Sequence, residues 1–278
     1  MKQCLLLCIA VLTLNAFTPK KITWVAIGDS ITYLNDHPDE TGNRVSKGYM
    51  TRVVEQLPSV QYINQGHNGW TSGGVADKID DLGIVKADVY SVFLGTNDWW
   101  QGRPVGTIED YRQQTGNHTF YGSYAIIINK LKKLNPKARI ILITPMQRVD
   151  FVYLNDYTNN AWGSYKDKNG QSLEKFATAI KSIASLEHFE LVDLFNKTDL
   201  GLNKLVKYKR LKDPKAGVYK NYPYPSFINI PFNPAVDDYP YPIDAAGMTY
   251  DGLHPSDKGN AVIASMLLPL IKNLIGQE

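Results

Sequence analysis

The chain has 278 residues, 44% of them hydrophobic and 21% charged, with a formal net charge of +3. That composition is ordinary for a soluble globular protein with a substantial apolar core, and the length allows one large domain or two small ones. A balance so near neutrality argues against a nucleic-acid partner, which calls for a concentrated basic face.

At the N-terminus Lys2 precedes an almost unbroken apolar run from Cys4 to Leu14, and Asn15-Ala16 offers a small residue for cleavage. The pattern reads as a signal peptide over residues 1–19. The run is shorter than the roughly 20 residues of a spanning helix. An exported protein, periplasmic or secreted, with no integral membrane domain after signal removal is therefore expected, against the alternatives of an uncleaved anchor or a buried first helix. Cys4 and Cys8 are the only cysteines. A processed chain would have no disulfide framework, thiolate zinc site or cysteine nucleophile. Lipidation at Cys8 is a further alternative that Leu7, a poor small-residue neighbour, disfavours.

Beyond residue 20 short β-rich runs alternate with helical spacing. Strands are predicted over Thr23 to Ile27, Val60 to Asn64, Val89 to Leu94, Arg139 to Ile143 and Phe189 to Leu194. Helices are predicted over Tyr49 to Leu57, Val75 to Leu82, Tyr124 to Leu134, Leu173 to Leu186 and Asp257 to Ile275, with a glycine-rich loop from Gly66 to Gly74. Alternation of this kind implies a parallel sheet, because parallel neighbours need crossover connections. The strands are nearly continuous apolar runs, as expected when helices cover both faces. The reading is α/β: one three-layer α/β/α domain over residues 20–278 on a five-stranded parallel sheet. A Tyr/Pro-rich stretch at about 197–249, with Tyr222-Pro223-Tyr224-Pro225 and Tyr239-Pro240-Tyr241-Pro242, forbids a long helix or central strand. It reads as an ordered insertion over one end of the sheet.

In open parallel sheets ligands bind beyond the carboxyl ends of the strands. Ser30 follows the first strand, Gly66 to Gly69 the second and Asn97 the third, while Asp251-Gly252-Leu253-His254 follows the fifth strand and the insertion. A serine hydroxyl becomes a useful nucleophile when a base takes its proton, and an imidazole suits that task near neutrality. The imidazole in turn needs a carboxylate on its other nitrogen. Asp251 stands three residues before His254, Gly252 permits a tight turn, and Pro255 keeps His254 out of helical geometry. The N–H groups of Ser30 and Gly69 and the Asn97 amide are candidate donors to an oxyanion. Asp29 and Asp98 read as loop braces. Trp99, Trp100 and His67 are candidates for substrate contact, with ordinary apolar cover as the alternative for the tryptophans.

Gly28-Asp29-Ser30, the loop Asn64-Gln65-Gly66-His67-Asn68-Gly69, Gly95-Thr96-Asn97-Asp98 and Asp251-Gly252-Leu253-His254-Pro255 resemble, in order, the sequence blocks of the SGNH or GDSL hydrolases. The resemblance spans residues 22 to 275 apart from the insertion. It implies a flavodoxin-like sheet and ester hydrolysis without metal or other cofactor. It also implies Ser30 as nucleophile, Asp251 and His254 as its partners, and Ser30, Gly69 and Asn97 as the oxyanion hole. Ile31 replaces the usual leucine, and the insertion exceeds that of compact members. Gly-x-Ser-x-Gly is absent because Thr32 stands at its last position. The expected substrate is a short acyl ester, acetyl above all, on a carbohydrate, motivated by export and the aromatic-rich insertion. The alternatives are a lipase, lysophospholipase or thioesterase on longer acyl chains, and a non-catalytic glycan-binding protein on the same scaffold.

Overall fold

A computed structural model describes residues 21–275; the expected signal peptide lies outside the described residues. The chain begins with β1 (Ile22–Gly28), α1 (Ser30–Tyr33), α2 (Tyr49–Gln56), β2 (Val60–Gly66), α3 (Ser72–Lys78) and β3 (Val89–Phe93). It continues through α4 (Thr96–Trp100), α5 (Ile108–Arg112), α6 (Phe120–Leu134), β4 (Arg139–Ile143), β5 (Phe151–Tyr153) and β6 (Asp156–Ala161). Then follow α7 (Leu173–Glu187), β7 (Glu190–Val192), α8 (Leu202–Leu205), β8 (Lys209–Lys212), β9 (Tyr219–Tyr222) and α9 (Asp257–Ile275).

Five of these strands form one parallel sheet in the order β2-β1-β3-β4-β7. Side chains alternate between faces along a strand, and both faces here are apolar. Val25 and Ile27 of β1, with Tyr90, Val92 and Leu142, bury against α3, α5, α6 and α7. Trp24 and Ala26, with Val89, Phe93, Ile141 and Ile143, bury against α2 and α9. Strands with apolar residues at both parities therefore occupy the middle of three layers, as their sequences imply.

The order reverses direction between β1 and β3. From β1 the chain runs outward to β2 and returns to add β3 on the other side, so the crevice of the sheet opens where β1 and β3 end. Ser30 and Asn97 flank it.

Some boundaries differ from the sequence reading. α3 begins at Ser72 rather than Val75, because Thr71 caps it by accepting from Gly74 N–H at 3.0 Å. α6 begins at Phe120 rather than Tyr124, capped in the same way by Thr119 through Gly122 N–H at 3.1 Å. In both cases a glycine in the first turn disguises a helix start that the threonine cap secures.

The hairpin of β5 and β6 was not foreseen. It closes around Leu154-Asn155, with Val152 paired to Asn160 and Tyr153 to Asp156. Residues 197–249 hold α8 and the antiparallel pair β8–β9, and bury Leu205, Val206, Leu211, Phe227 and Tyr241 against Val149 and Val152. The insertion thus stands behind the β5–β6 hairpin. Tyr239 Oη donates to Val152 O at 3.1 Å, Tyr241 Oη donates to Asp150 O, and the Tyr157 and Tyr239 rings lie 5.4 Å apart.

Candidate active site

The turn after β1 is fixed by Asp29, whose Oδ1 accepts from Ile31 N–H at 3.0 Å as the cap of α1. Ser30 is the first residue of that helix, so its N–H lies outside the helical ladder and faces the strand end. Asp98 braces the neighbouring loop: it accepts from Ser72 N–H at 2.9 Å and from Ser72 Oγ at 2.6 Å. Burial pushes the Asp29 and Asp98 carboxyls up to about 6 each, against the hydrogen bonds that favour their ionised forms.

Across the crevice, Gly252 adopts φ +93°, and a Cβ there would stand 2.0 Å from Asp150 O. This glycine turn folds Asp251 back on His254. Asp251 Oδ1 accepts from Leu253 N–H at 3.0 Å and His254 N–H at 2.7 Å, leaving Oδ2 2.7 Å from His254 Nδ1. His254 Nε2 lies 2.9 Å from Ser30 Oγ. Asp251 is 1% exposed and His254 6%, and the imidazole is wedged between the Tyr250 face at 5.9 Å and the Phe151 edge at 5.5 Å. A hydroxyl, an imidazole and a buried carboxylate are thereby aligned from residues 224 positions apart.

Gly69 and Asn97 border the same cavity as Ser30 and His254. Gly69 has φ +73° with open space where a Cβ would be. One hydrogen of the Asn97 amide is spent on Trp70 O at 3.0 Å, which fixes the amide plane and leaves the second hydrogen for the cavity. Gln101 Nε2 donates to Gly69 O at 2.9 Å, tying the glycine loop to the end of α4.

The cavity has a volume of about 420 Å³. It is lined by Ser30, Asn97 and His254 together with Leu34, Glu40, Arg148, Phe151, Tyr153, Asn159 and Ala161. Trp100 lines it. Trp99 and His67, the other two candidates for substrate contact, do not line it. Consecutive helical residues point about 100° apart, so Trp99 turns inward to full burial with its Nε1 donating to Gln171 O at 2.9 Å. His67 instead stacks on Trp70, ring centroids 4.3 Å apart. No residue of 197–249 lines the cavity among the described residues. The aromatic wall is the β5–β6 hairpin and not the Tyr/Pro-rich insertion.

The residues missed in the sequence include Leu34, Glu40 and Gln101 and, beyond β4, Arg148, Phe151, Tyr153 and Asn159; the last four share a signal. They follow the carboxyl end of a parallel strand, the same position that singled out Ser30 and Asn97, and Arg148 stands five residues past the end of β4 at Ile143. Arg148 is 1% exposed, and its guanidinium lies 4.8 Å from the Trp99 ring and 4.6 Å from the Trp100 ring. Burial lowers its pKa to about 9. Among the described residues no cluster of His, Cys, Asp or Glu is arranged to hold a metal ion, and no helix is long and apolar enough to cross a membrane.

The model of the GDSL-like lipase/acylhydrolase family matches residues 26–262. The chain belongs to this family. GDSL hydrolases cleave ester bonds, and this chain is one of them. It shares 64% identity with a possible lipase from Chitinophaga pinensis, at a TM-score of 0.90 over 91% of this chain and 99% of that one. An acetyl xylan esterase matches at 21% identity and TM-score 0.54, over 90% of this chain and 100% of its own. A carbohydrate esterase family 3 protein from Talaromyces cellulolyticus matches at 17% and 0.50, over 92% and 99%. At these lower identities the likeness is one of fold. No curated protein matches the chain.

Proposed function

We propose that this GDSL hydrolase removes short acyl groups, acetyl above all, from hydroxyls of carbohydrates. The observation that carries the proposal is the 2.9 Å approach of Ser30 Oγ to His254 Nε2 in a cavity lined by both polar and aromatic side chains. In this reading Ser30 Oγ attacks the ester carbonyl as His254 takes its proton, and Asp251 stabilises the resulting imidazolium. The developing oxyanion is received by the N–H groups of Ser30 and Gly69 and the Asn97 amide, each donor contributing about 10²–10³ in rate. His254 then protonates the departing sugar hydroxyl. Water, deprotonated by the same imidazole, attacks the acyl-serine and releases the acid and free Ser30.

A sugar ring as the alcohol is supported by the cavity walls. Trp100 meets Trp162 edge to face at 4.7 Å, and Trp162 is 37% exposed. Trp100 and Tyr153 line the cavity beside the amides of Asn68, Gln101 and Asn159, a mixture of aromatic surface and hydrogen-bonding groups of the kind a sugar requires. A second reading, a lipase or thioesterase on longer chains, draws on the description of the Chitinophaga pinensis relative and on the apolar strip of Leu34, Phe151, Ala161 and Leu253.

The test is hydrolysis of p-nitrophenyl esters from acetate to octanoate and release of acetate from acetylated xylosides, by wild type and Ser30→Ala. Acetate preference, turnover of the xyloside and loss of both in the variant are expected. A rising preference toward octanoate supports the second reading, and glycan binding without turnover would make the chain a binding protein. Export belongs to the same proposal, and an N-terminus near residue 20 on protein recovered outside the cytoplasm is its check.

A further inference from the structure

Arg148 is a buried cation with no ion-pair partner among the described residues. Of its five N–H donors, one on Nη2 reaches Trp162 O at 2.9 Å, while buried Nε has no hydrogen-bond partner. The two carboxylates that most influence it electrostatically are Asp150 and Asp251, and both are committed elsewhere. Asp150 accepts from Lys209 Nζ at 3.0 Å, from Gly163 N–H at 3.1 Å and from Tyr165 Oη. Asp251 holds His254 by its ring and its main chain. No carboxylate pairs directly with Arg148 among the described residues.

Holding a guanidinium out of water with so few partners is unfavourable, an effect that the faces of Trp99 and Trp100 offset in part. A residue kept only to pack between two tryptophans needs no charge. Arg148 also borders the cavity that holds Ser30 and His254; its Nε is sealed from that space, so an anion entering with the substrate meets the terminal Nη groups. The other charged residue around that cavity, Glu40, comes from the segment after β1 and accepts from Tyr33 Oη at 2.8 Å. Arg148 comes from the segment after β4, with β3 between those two strands.

We infer that Arg148 is an anion-binding, specificity-determining residue, and that the natural substrate is an ester carrying an oxyanion group, a carboxylate above all, near the bond to be cleaved. The planar fork of the guanidinium donates to two carboxylate oxygens side by side. On the carbohydrate reading, on which the inference rests, the substrate class becomes an acylated acidic sugar of the uronic type.

The experiment compares an acetylated methyl glucuronoside with the methyl glucoside acetylated at the same hydroxyl, so that carboxylate replaces hydroxymethyl and nothing else changes. The glucoside 6-sulfate forms a third arm. The readout is the ratio of kcat/KM for charged over neutral ester, first in wild type and then in Arg148→Lys and Arg148→Gln. A wild-type ratio of about ten or more is expected, falling partway in Arg148→Lys and to near one in Arg148→Gln. A larger preference for the sulfate would keep the oxyanion site and reassign its source to a sulfated sugar. A wild-type ratio near one, read before any variant is made, overturns the inference while leaving the esterase intact. A ratio unchanged in either folded variant overturns it too. Calorimetric binding of both sugar esters to Ser30→Ala gives the same ratio without turnover. Equal affinity for the two, or no binding of either, overturns the anion site, and failure to turn over any sugar ester in wild type removes the carbohydrate reading beneath it.

Discussion

Asp251 grips His254 twice: Oδ1 accepts from its main-chain N–H at 2.7 Å, and Oδ2 lies 2.7 Å from ring Nδ1. One carboxylate therefore sets both where the imidazole sits and which way it faces. Asp251→Asn can preserve the grip through its carbonyl but offers a neutral amide to the ring, favouring the wrong tautomer. The expected result is a fall in kcat of about 10⁴ with an unchanged melting temperature, read from p-nitrophenyl acetate kinetics beside circular dichroism.

Gly252→Ala attacks the same grip through the backbone. At φ +93° an added Cβ meets Asp150 O at 2.0 Å, and that atom belongs to main chain with little room to yield. A loss of about 1–3 kcal/mol in urea denaturation should accompany loss of turnover. A fully active, equally stable variant would show that the turn tolerates another conformation.

The stability contributed by Asp29 and Asp98 should fall as pH rises from about 4 to 6. Burial raises the Asp98 carboxyl from 3.8 to about 6, and the Asp29 carboxyl likewise. In that window the native chain retains protons the unfolded chain has already released, so the stabilisation is full below the ordinary value and lost as pH climbs through about 6. Each group contributes a slope of up to about 1.4 kcal/mol per pH unit. Chemical denaturation across the window should show a shallower slope in Asp98→Asn, whatever that substitution does to stability at one pH.

The sheet was legible because its strands are apolar at both parities, and the site because a short list of polar residues falls just past strand ends. Gly28-Asp29-Ser30 and Asp251 to His254 are local devices, with caps and turns that short windows encode. The β5–β6 hairpin was not legible: Asp156-Tyr157-Thr158-Asn159-Asn160 is polar and largely exposed, and its shape depends on tyrosines some 80 residues away. The pair Leu154-Asn155 between Tyr153 and Asp156 was the available signal, since asparagine suits a two-residue hairpin turn. Trp99 and Trp100 were indistinguishable in sequence because only the rotation of α4 decides which one faces the core.

Tyr239→Phe tests how the hairpin is held. Removing the hydroxyl leaves Val152 O without its 3.1 Å donor, for an expected cost of about 1–3 kcal/mol. Faster amide exchange across β5 and β6, with the central strands unaffected, is the accompanying observation. Uniform exchange would mean that hairpin and sheet open as one unit.

Tyr239 and Tyr241 both seize main-chain carbonyls, those of Val152 and Asp150, rather than side chains. Such a clasp is blind to the identity of the residues it holds. The side chains that the hairpin presents to the cavity, Phe151 against His254 apart, can consequently be exchanged by mutation without loosening their mount. Descendants of this scaffold could change what they recognise in single substitutions and keep the chemistry they inherited.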